Sequence, residues 1–323
     1  MADMAPIDDA IRLATRQYGA IQIRQARALG VSGSVIDRMS RQGHWQLVHP
    51  GVHLVGCCLP PPDTQPDDGP PPLLLTRFSA ALLAAGPHAL VAAESAAHLW
   101  GLQGLPRWRW EDHVHVIVPP EKASRTIPQV AQHAWRVKPG EAAIRHGLPV
   151  TCPGRTLRDT VLHVDRACGV SLIDSALHQG LVDVGELEEL EAANLNRRGS
   201  LRTRRWWGEA DARAESTFET RVRLICTDGG LPPDELQHCF FTPGGVFVAR
   251  VDLYWKERRL AIECDGRQPH GKPEVLANDR RRQNALAMLR PRIHLVRLTW
   301  EDLRRPDYIL DCIRRIPFPP LPR

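Results

Sequence analysis

The spacing of apolar residues predicts three helices and a hairpin in the first 58 residues. "IDDAIRLATRQYG" has its apolar positions near helical spacing, and "IRQARALG" predicts a second, shorter helix. "VSGSVIDRMSRQG" predicts a turn and a third helix, with Ser34 as its N-terminal cap. "HWQLVHPGVHLV" consists of two strand-like runs around the turn residues Pro50 and Gly51.

This order of elements is that of a winged helix-turn-helix over residues 1–58. In such a domain the third helix lies in the DNA major groove, and Arg38 and Arg41 would be on its exposed side. His44, His49 and His53 would lie on the hairpin, which is the wing. The alternative is that these residues bind another protein or only pack, because a fold alone does not establish a function.

Proline and aspartate dominate residues 59–72, "LPPPDTQPDDGPPP", which predicts an extended linker. Residues 73–210 combine helical patterns with strand-like runs such as "DHVHVIVPP", which predicts an α/β middle domain. This region ends in the basic, aromatic segment "LNRRGSLRTRRWW". Trp206 and Trp207 would either stack on a nucleic-acid base or dock on a neighbouring domain.

Residues 211–323 predict the order α, three β, α, β. The first helix is "ESTFETRVRLICTDGG", and the strands are "LQHCFFT", "VFVARVDLYW" and "LAIEC". A long helix, "KPEVLANDRRRQNALAMLR", precedes the fourth strand, "RIHLVRL". Because a helix connects them, we expect the third and fourth strands to be parallel.

Three carboxylates are predicted to meet at one end of this sheet. Alternation in the third strand directs Leu260 and Ile262 to one face, and Glu263 and Asp265 to the other, about 6.8 Å apart. If the second and third strands pair through the "KERR" turn, Asp252 lies across from them. A divalent cation would remove their mutual repulsion, and hard oxygen ligands suit Mg²⁺. The alternative is three solvated acids at strand ends.

Glu219 has two interpretations. It could complete the acidic cluster from the preceding helix. However, "STFE" is also a capping box, in which Ser216 caps the helix and Glu219 reaches back. Glu219 also lies one helical turn before Arg223, which favours an ion pair within the helix.

Composition indicates a soluble, cytoplasmic protein of two or three domains. The chain has 323 residues, of which 43% are hydrophobic and 24% charged, and its net charge of +5 permits an anionic partner. No run of about 18 apolar residues and no secretory leader are present in the sequence, so we expect no membrane partner. The eight cysteines form no C-x-x-C pair, which argues against a zinc site or a disulfide framework.

Several segments resemble known families. "AESTFETRVR", "RVDLYWKERRLAIECDG", "NDRRRQNAL" and "HLVRLTWEDL" resemble an uncharacterised family related to very-short-patch repair (Vsr) endonucleases, within the PD-(D/E)XK nuclease superfamily. "AESAAHLWGL" and "VTCPGRTLRDT" resemble the AbiEi family of type IV antitoxins and transcriptional regulators. The two resemblances together cover nearly the whole chain.

The first resemblance implies a restriction-endonuclease-like fold and a DNA endonuclease that depends on Mg²⁺ or Mn²⁺. It implies that Asp252 is the metal-binding aspartate, Glu263 the acidic residue of the (D/E)XK element and Glu219 the helix glutamate. Asp265 stands where the usual lysine would be, and as an acid it would also serve the metal.

Arg281 and Arg282, on the long helix, would face phosphate or form a solvated run of charge. The expected function is metal-dependent hydrolysis of phosphodiester bonds in DNA, for repair, restriction or defence. The alternative is an antitoxin-like, DNA-binding regulator whose nuclease fold is an inactive interaction module. In that alternative, the partners besides DNA are a toxin protein or a second copy of the chain.

Overall fold

The structure is a computed structural model that describes residues 4–59, 70–122, 126–266, 284–289 and 292–316. Within these residues it is mixed α/β and contains three β-sheets, as the sequence patterns predict. The chain forms two compact units, Met1–Val164 with Gly185–Leu201, and Asp165–Val184 with Arg202–Arg323. This division differs from the predicted boundary at residue 211, because residues 165–184 belong to the second unit.

The helices of the described residues are α1 (Met4–Arg16), α2 (Ile23–Ala28), α3 (Gly33–Arg41), α4 (Pro72–Ala85), α5 (Ala93–Trp100), α6 (Pro153–Thr160), α7 (Arg166–His178), α8 (Leu187–Ala192), α9 (Ser200–Thr203), α10 (Thr217–Asp228) and α11 (Pro306–Arg314). The strands are β1 (Ala20–Gln22), β2 (Trp45–His49), β3 (Val52–Val55), β4 (Leu90–Val91), β5 (Val114–Ile117), β6 (Val130–His133), β7 (Ala142–Arg145), β8 (Leu148–Thr151), β9 (Glu235–Phe241), β10 (Phe247–Trp255), β11 (Leu260–Cys264) and β12 (His294–Leu298). None of the helices in the described part of the chain is both long enough and apolar enough to cross a bilayer.

Residues 4–58 fold into the predicted helices and hairpin. β2 and β3 pair across the Pro50–Gly51 turn, and β1 adds a third strand in the order β1-β3-β2. The predicted cap of α3 was wrong by two residues. The hydroxyl of Ser32 accepts the N–H of Val35 at 3.4 Å, whereas Ser34 lies inside the first turn of the helix.

The histidines expected on the hairpin differ in exposure: His49 on β2 and His53 on β3 are buried, whereas His44, just before β2, is exposed. Nε2 of His49 lies 3.1 Å from Nη1 of Arg77 on α4, and burial, followed by the charge of Arg77, lowers the pKa of His49 to about 4. The sheet also packs Val52 and Leu54 against α4 in one apolar cluster. The N-terminal elements therefore depend on α4 for part of their packing.

A second sheet of the first unit has the order β6-β5-β4-β8-β7. β5, α5 and α6 were predicted from the sequence, whereas the other four strands of this sheet were not. Those strands are two to four residues long, too short for alternation to distinguish them from loops.

The sheet of the second unit has the order β12-β11-β10-β9. β9, β10 and β11 are antiparallel, and β12 runs parallel to β11, as predicted from the crossover. Most of the predicted crossover helix, with Arg281 and Arg282, lies outside the described residues; residues 284–288 are helical.

α7 and two tryptophans complete the packing of the second unit around α10. Trp206 and Trp207 are 4% and 3% exposed, so neither can stack on a base, and that prediction was wrong. Trp206 lies directly against Gly169 of α7, where an added Cβ would come within 2.6 Å of its ring. α10 in turn contacts α7, α11 and the sheet.

The two faces of the four-stranded sheet carry separate apolar clusters. Leu253 and Ile262 belong to the cluster that includes α10, whereas Val251 and Ala261 belong to the opposite cluster. Strict alternation would place Val251 and Leu253 on the same face. The alternation of β10 is therefore interrupted at Asp252, which lies between them.

Candidate functional site

The candidate site lies where the ladder between β10 and β11 ends. The last paired residues are Leu253 and Ile262. Beyond them, the backbone N–H of Cys264 donates to Oδ2 of Asp252 at 2.7 Å. The carboxylate thus occupies the place of a main-chain acceptor. This contact accounts for the interruption of the face alternation in β10 at Asp252. Asp252 consequently lies at the end of the ladder rather than on the flat face that alternation predicted.

Glu219 is joined to Asp252 through Gln237 of β9. Nε2 of Gln237 donates to Oε2 of Glu219 at 2.7 Å and lies 3.4 Å from Oδ1 of Asp252. Gln237 has a φ of +53°, an uncommon backbone conformation for a residue other than glycine. Such strain is maintained only where the surroundings enforce it, and it often accompanies functional sites.

The capping interpretation of Glu219 is confirmed. Its Oε1 accepts the hydroxyl hydrogen of Ser216 at 2.7 Å, and its Oε2 accepts the N–H of Glu215 at 3.0 Å. The Ser216 hydroxyl in turn caps α10 by accepting the N–H of Glu219. Glu219 is 5% exposed and fixed from several sides, so its carboxylate is held beside Gln237.

Arg297 of β12 contacts both Glu263 and Asp265. The parallel register places Arg297 beside Glu263, and its Nε lies 3.2 Å from Oε2 of Glu263. The same Nε is 2.8 Å from Oδ2 of Asp265, while Nη2 donates to Oδ1 of Asp265 at 3.2 Å. Glu263 is 4% exposed, so the alternative of a solvated acid does not hold for it.

The four carboxylates therefore form two bridged pairs. Gln237 joins Glu219 to Asp252, and Arg297 joins Glu263 to Asp265. Cys264 lies between the pairs: burial raises its pKa well above the usual value, and the charges of Asp252, Glu219 and Asp265 add to the effect. The structure thus joins Glu219 to Asp252 and Glu263 to Asp265, whereas a single cluster of all four carboxylates stays a prediction.

The donor atoms suit a hard divalent cation, but the side-chain arrangement is not that of a formed metal site. Within the described residues, no group of three or more His, Cys, Asp or Glu side chains is arranged to hold a metal ion. Glu263 and Asp265 face the Arg297 guanidinium instead, and Asp252 accepts a main-chain N–H. For a cation to bind, some of these contacts would have to be exchanged for metal–oxygen bonds.

Gln237 and Arg297 were not predicted from the sequence. Arg297 could have been found in part. Alternation puts it on the same side of β12 as the partly buried Leu295. The register of β12 with β11, which sets Arg297 beside Glu263, cannot be obtained from the sequence pattern. No sequence signal points to Gln237, since its role depends on an irregular backbone conformation.

The arginines predicted to bind DNA fall into two groups. Arg38 and Arg41 are both exposed on α3, as expected, and Nε of Arg41 donates to the Asp37 carbonyl at 3.4 Å. Arg281 and Arg282 lie outside the described residues, so their placement remains a prediction.

Similar sequences are found in Mycobacterium tuberculosis. Two uncharacterized proteins, one from strain CDC 1551 / Oshkosh and one from strain ATCC 25618 / H37Rv, are each 33% identical to this chain over 159 residues. The aligned part is 49% of this chain and spans 58% of each relative, a little over half of its length. No family model matches the chain.

Proposed function

We propose that the second unit is a metal-dependent DNA endonuclease domain of restriction-endonuclease-like fold. The order of α10, β9–β11 and the parallel β12 agrees with the αβββαβ order expected from the resemblance to Vsr-like nucleases. The observation that carries the proposal is the presence, at the end of the β10–β11 ladder, of two bridged carboxylate pairs, Glu219 with Asp252 and Glu263 with Asp265.

Asp252, Glu263 and Asp265 would hold Mg²⁺ or Mn²⁺, and Glu219 would support this set through Gln237. Bound there, the ion would lower the pKa of a water molecule and neutralise charge on the phosphate. Gln237 keeps Glu219 and Asp252 close despite their like charges.

We include in the proposal that residues 1–58 form a winged helix-turn-helix that positions the protein on DNA. In support, α3 leads into the hairpin of β2 and β3, and its exposed side carries Arg38 and Arg41. Two exposed cations on a helix of this kind would contact phosphates and contribute an affinity that depends on salt.

Asp252→Asn is expected to lower cleavage of DNA in Mn²⁺ by at least about 100-fold, whereas the unaltered chain cuts with Mn²⁺ and not with EDTA. Asparagine keeps an oxygen that can accept the Cys264 N–H, so the variant loses charge but not the local hydrogen bond. Cleavage of duplex, single-stranded and mismatched DNA should be followed with time. Asp311→Asn, which alters an exposed aspartate of α11, is the matched control. Absence of cleavage by the unaltered chain on all three substrates would count against the proposal.

Arg38→Ala and Arg41→Ala are each expected to weaken binding of the full chain to duplex DNA. Each lost phosphate contact should reduce the log–log slope of affinity against salt by about 0.9. The full chain is required because the N-terminal sheet packs on α4. Arg12→Ala, an exposed arginine of α1, serves as the control. An unchanged slope in both α3 variants would show that α3 does not lie on the phosphate backbone.

One observation favours the second candidate, an antitoxin-like regulator with an inactive nuclease-fold module. Arg297 and Gln237 already bridge the carboxylates in pairs, so the site is electrostatically balanced in part by protein groups alone. A regulator of this kind would bind DNA, with a toxin or a second copy of the chain as further partner. If this second candidate is correct, Arg38→Ala weakens DNA binding. Titration calorimetry with Mn²⁺ then gives no binding heat that is lost in Asp252→Ala.

A further inference from the structure

A cavity of about 380 Å³ lies within the first unit. One wall comes from α1, the turn after it, β1 and α2, and the other comes from α4, the segment after it, the turn before β8 and β8 itself. Small-molecule sites in proteins have volumes of about 300–1,000 Å³, so the cavity is large enough for a small organic ligand.

One part of the lining is apolar and consists of Leu82, Leu83, Pro87, Ala89, Leu148 and Pro149. Leu82, Ala89 and Leu148 are buried in the first unit. A ligand that covers such a surface removes apolar area from water, which favours binding of an apolar body.

Hydrogen bonds of three glutamines hold the walls of the cavity in place. The amides of Gln17 and Gln25 donate to each other, from Nε2 to Oε1, at 3.2 and 2.8 Å. Oε1 of Gln25 also accepts the N–H of Gln22 at 2.9 Å. Nε2 of Gln22 donates to the carbonyl of Leu83, so this bond joins one wall to the other. The glutamines are therefore engaged within the protein.

Tyr18 makes a second connection between the walls. Its hydroxyl donates to the carbonyl of His146, in the turn before β8, at 2.6 Å. Tyr18 has a φ of +56°, an uncommon conformation for a residue other than glycine. Such a conformation persists only where the surrounding structure enforces it. The cavity is therefore preformed, which lowers the cost of ordering its walls around a ligand.

The charged part of the lining is cationic. Among the described residues around the cavity, Arg16 and Arg24 carry charge and none is an aspartate or glutamate. Both arginines are exposed, and in the described part of the chain Arg24 forms a hydrogen bond through Nε, which donates to Oε1 of Gln22. Guanidinium groups pair with carboxylates and other oxyanions. Charge complementarity therefore favours an anionic ligand.

We propose that this cavity binds a small organic anion. Its apolar body lies against the residues of α4 and β8, and its anionic group pairs with Arg16 and Arg24. The assignment is independent of the metal-dependent reaction proposed for the second unit, because the described residues that line the cavity all belong to the first. Since β1 and α2 contribute to the lining, the bound anion contacts the proposed winged helix-turn-helix directly.

A pair of probes of matched shape tests the proposal on the full chain: 1-naphthoate, a flat carboxylate, and 1-naphthamide, its neutral counterpart. Their dissociation constants can be measured by ligand-observed nuclear magnetic resonance. Naphthoate should bind about tenfold more tightly than naphthamide, because the arginines stabilise its charge. Arg16→Gln and Arg24→Gln should each weaken naphthoate binding about threefold, and together about tenfold, since both arginines are exposed. Neither variant should alter the binding of naphthamide.

Arg12→Gln is the matched control, because Arg12 is an exposed arginine of α1 that does not line the cavity. It should leave both dissociation constants unchanged, and the melting temperatures of all variants should equal that of the unaltered chain. If Arg12→Gln weakens naphthoate as much as the cavity variants do, the probe responds only to the basic net charge of the chain. Equal affinities for the two probes would show an apolar cavity without anion recognition. Absence of binding of both probes at millimolar concentration would show that the cavity is not a ligand site. Each of these three results overturns the proposal.

Discussion

Glu263→Gln is expected to reduce Mn²⁺-dependent cleavage of DNA by at least about 100-fold while the second unit stays folded. Glutamine keeps the size of the side chain but removes the anionic ligand on which metal-assisted hydrolysis depends. Folding should be largely preserved because Arg297 is partly exposed and retains its ion pair with Asp265. The loss should therefore appear in catalysis and not in stability.

This expectation is checked by pairing the cleavage rate in Mn²⁺ with the melting temperature in EDTA. Glu215→Gln removes the charge of a partly exposed glutamate in the same unit and should alter neither. If Glu263→Gln cuts DNA at the parent rate, the metal assignment of Glu263 is wrong. A melting temperature that falls by much more than in the control would identify Glu263 as a structural ion-pair partner of Arg297.

The order of elements in the second unit could be predicted because each element carries its own local signal. α10 begins at a serine cap with a glutamate three residues later, and the strands of the sheet are apolar runs of five to nine residues. The parallel direction of β12 follows from the crossover helix alone. Local patterns of this kind do not depend on distant contacts, so the sequence contains them directly.

The geometry of the candidate site could be predicted only in part. That Asp252, Glu263 and Asp265 lie near one end of the sheet follows from pairing β10 with β11. Their charge balance does not, because it depends on Arg297, which is 32 residues beyond Asp265 in the chain. The face alternation of β10 is interrupted at Asp252 because its side chain replaces a backbone acceptor. The alternation of apolar and polar residues in the sequence does not predict such a contact. The sequence thus indicates which acids meet but not how they are held.

The role of α7 shows the same limit at the scale of domains. Its sequence, like those of α5 and α6, has only a local helical pattern, so the prediction placed it in the middle domain. In the structure, Asp174 of α7 is 1% exposed and accepts hydrogen bonds from three groups of the second unit. These are the N–H of Asp211 at 2.7 Å, the hydroxyl of Thr220 at 2.7 Å and Nη2 of Arg223 at 2.6 Å. A single buried carboxylate therefore ties α7 to α10.

Asp174→Ala is accordingly expected to lower the free energy of unfolding of the second unit by about 3–5 kcal/mol, the cost of breaking a buried ion pair by removing one partner. Arg223 is 8% exposed, so the variant leaves its charge buried, and Thr220 and the Asp211 N–H lose their acceptor as well. Urea unfolding followed by far-ultraviolet circular dichroism measures the change, with Asp228→Ala as the control.

Asp228 is exposed and pairs with Arg166 near the surface, so its loss should cost less than about 1 kcal/mol. The double variant Asp174→Ala with Arg223→Met should recover much of the loss, because no unpaired charge is then buried. If Asp174→Ala costs no more than the control, the contact between α7 and α10 is held by apolar packing alone. If the cost is as large as expected, any isolated C-terminal domain must include α7.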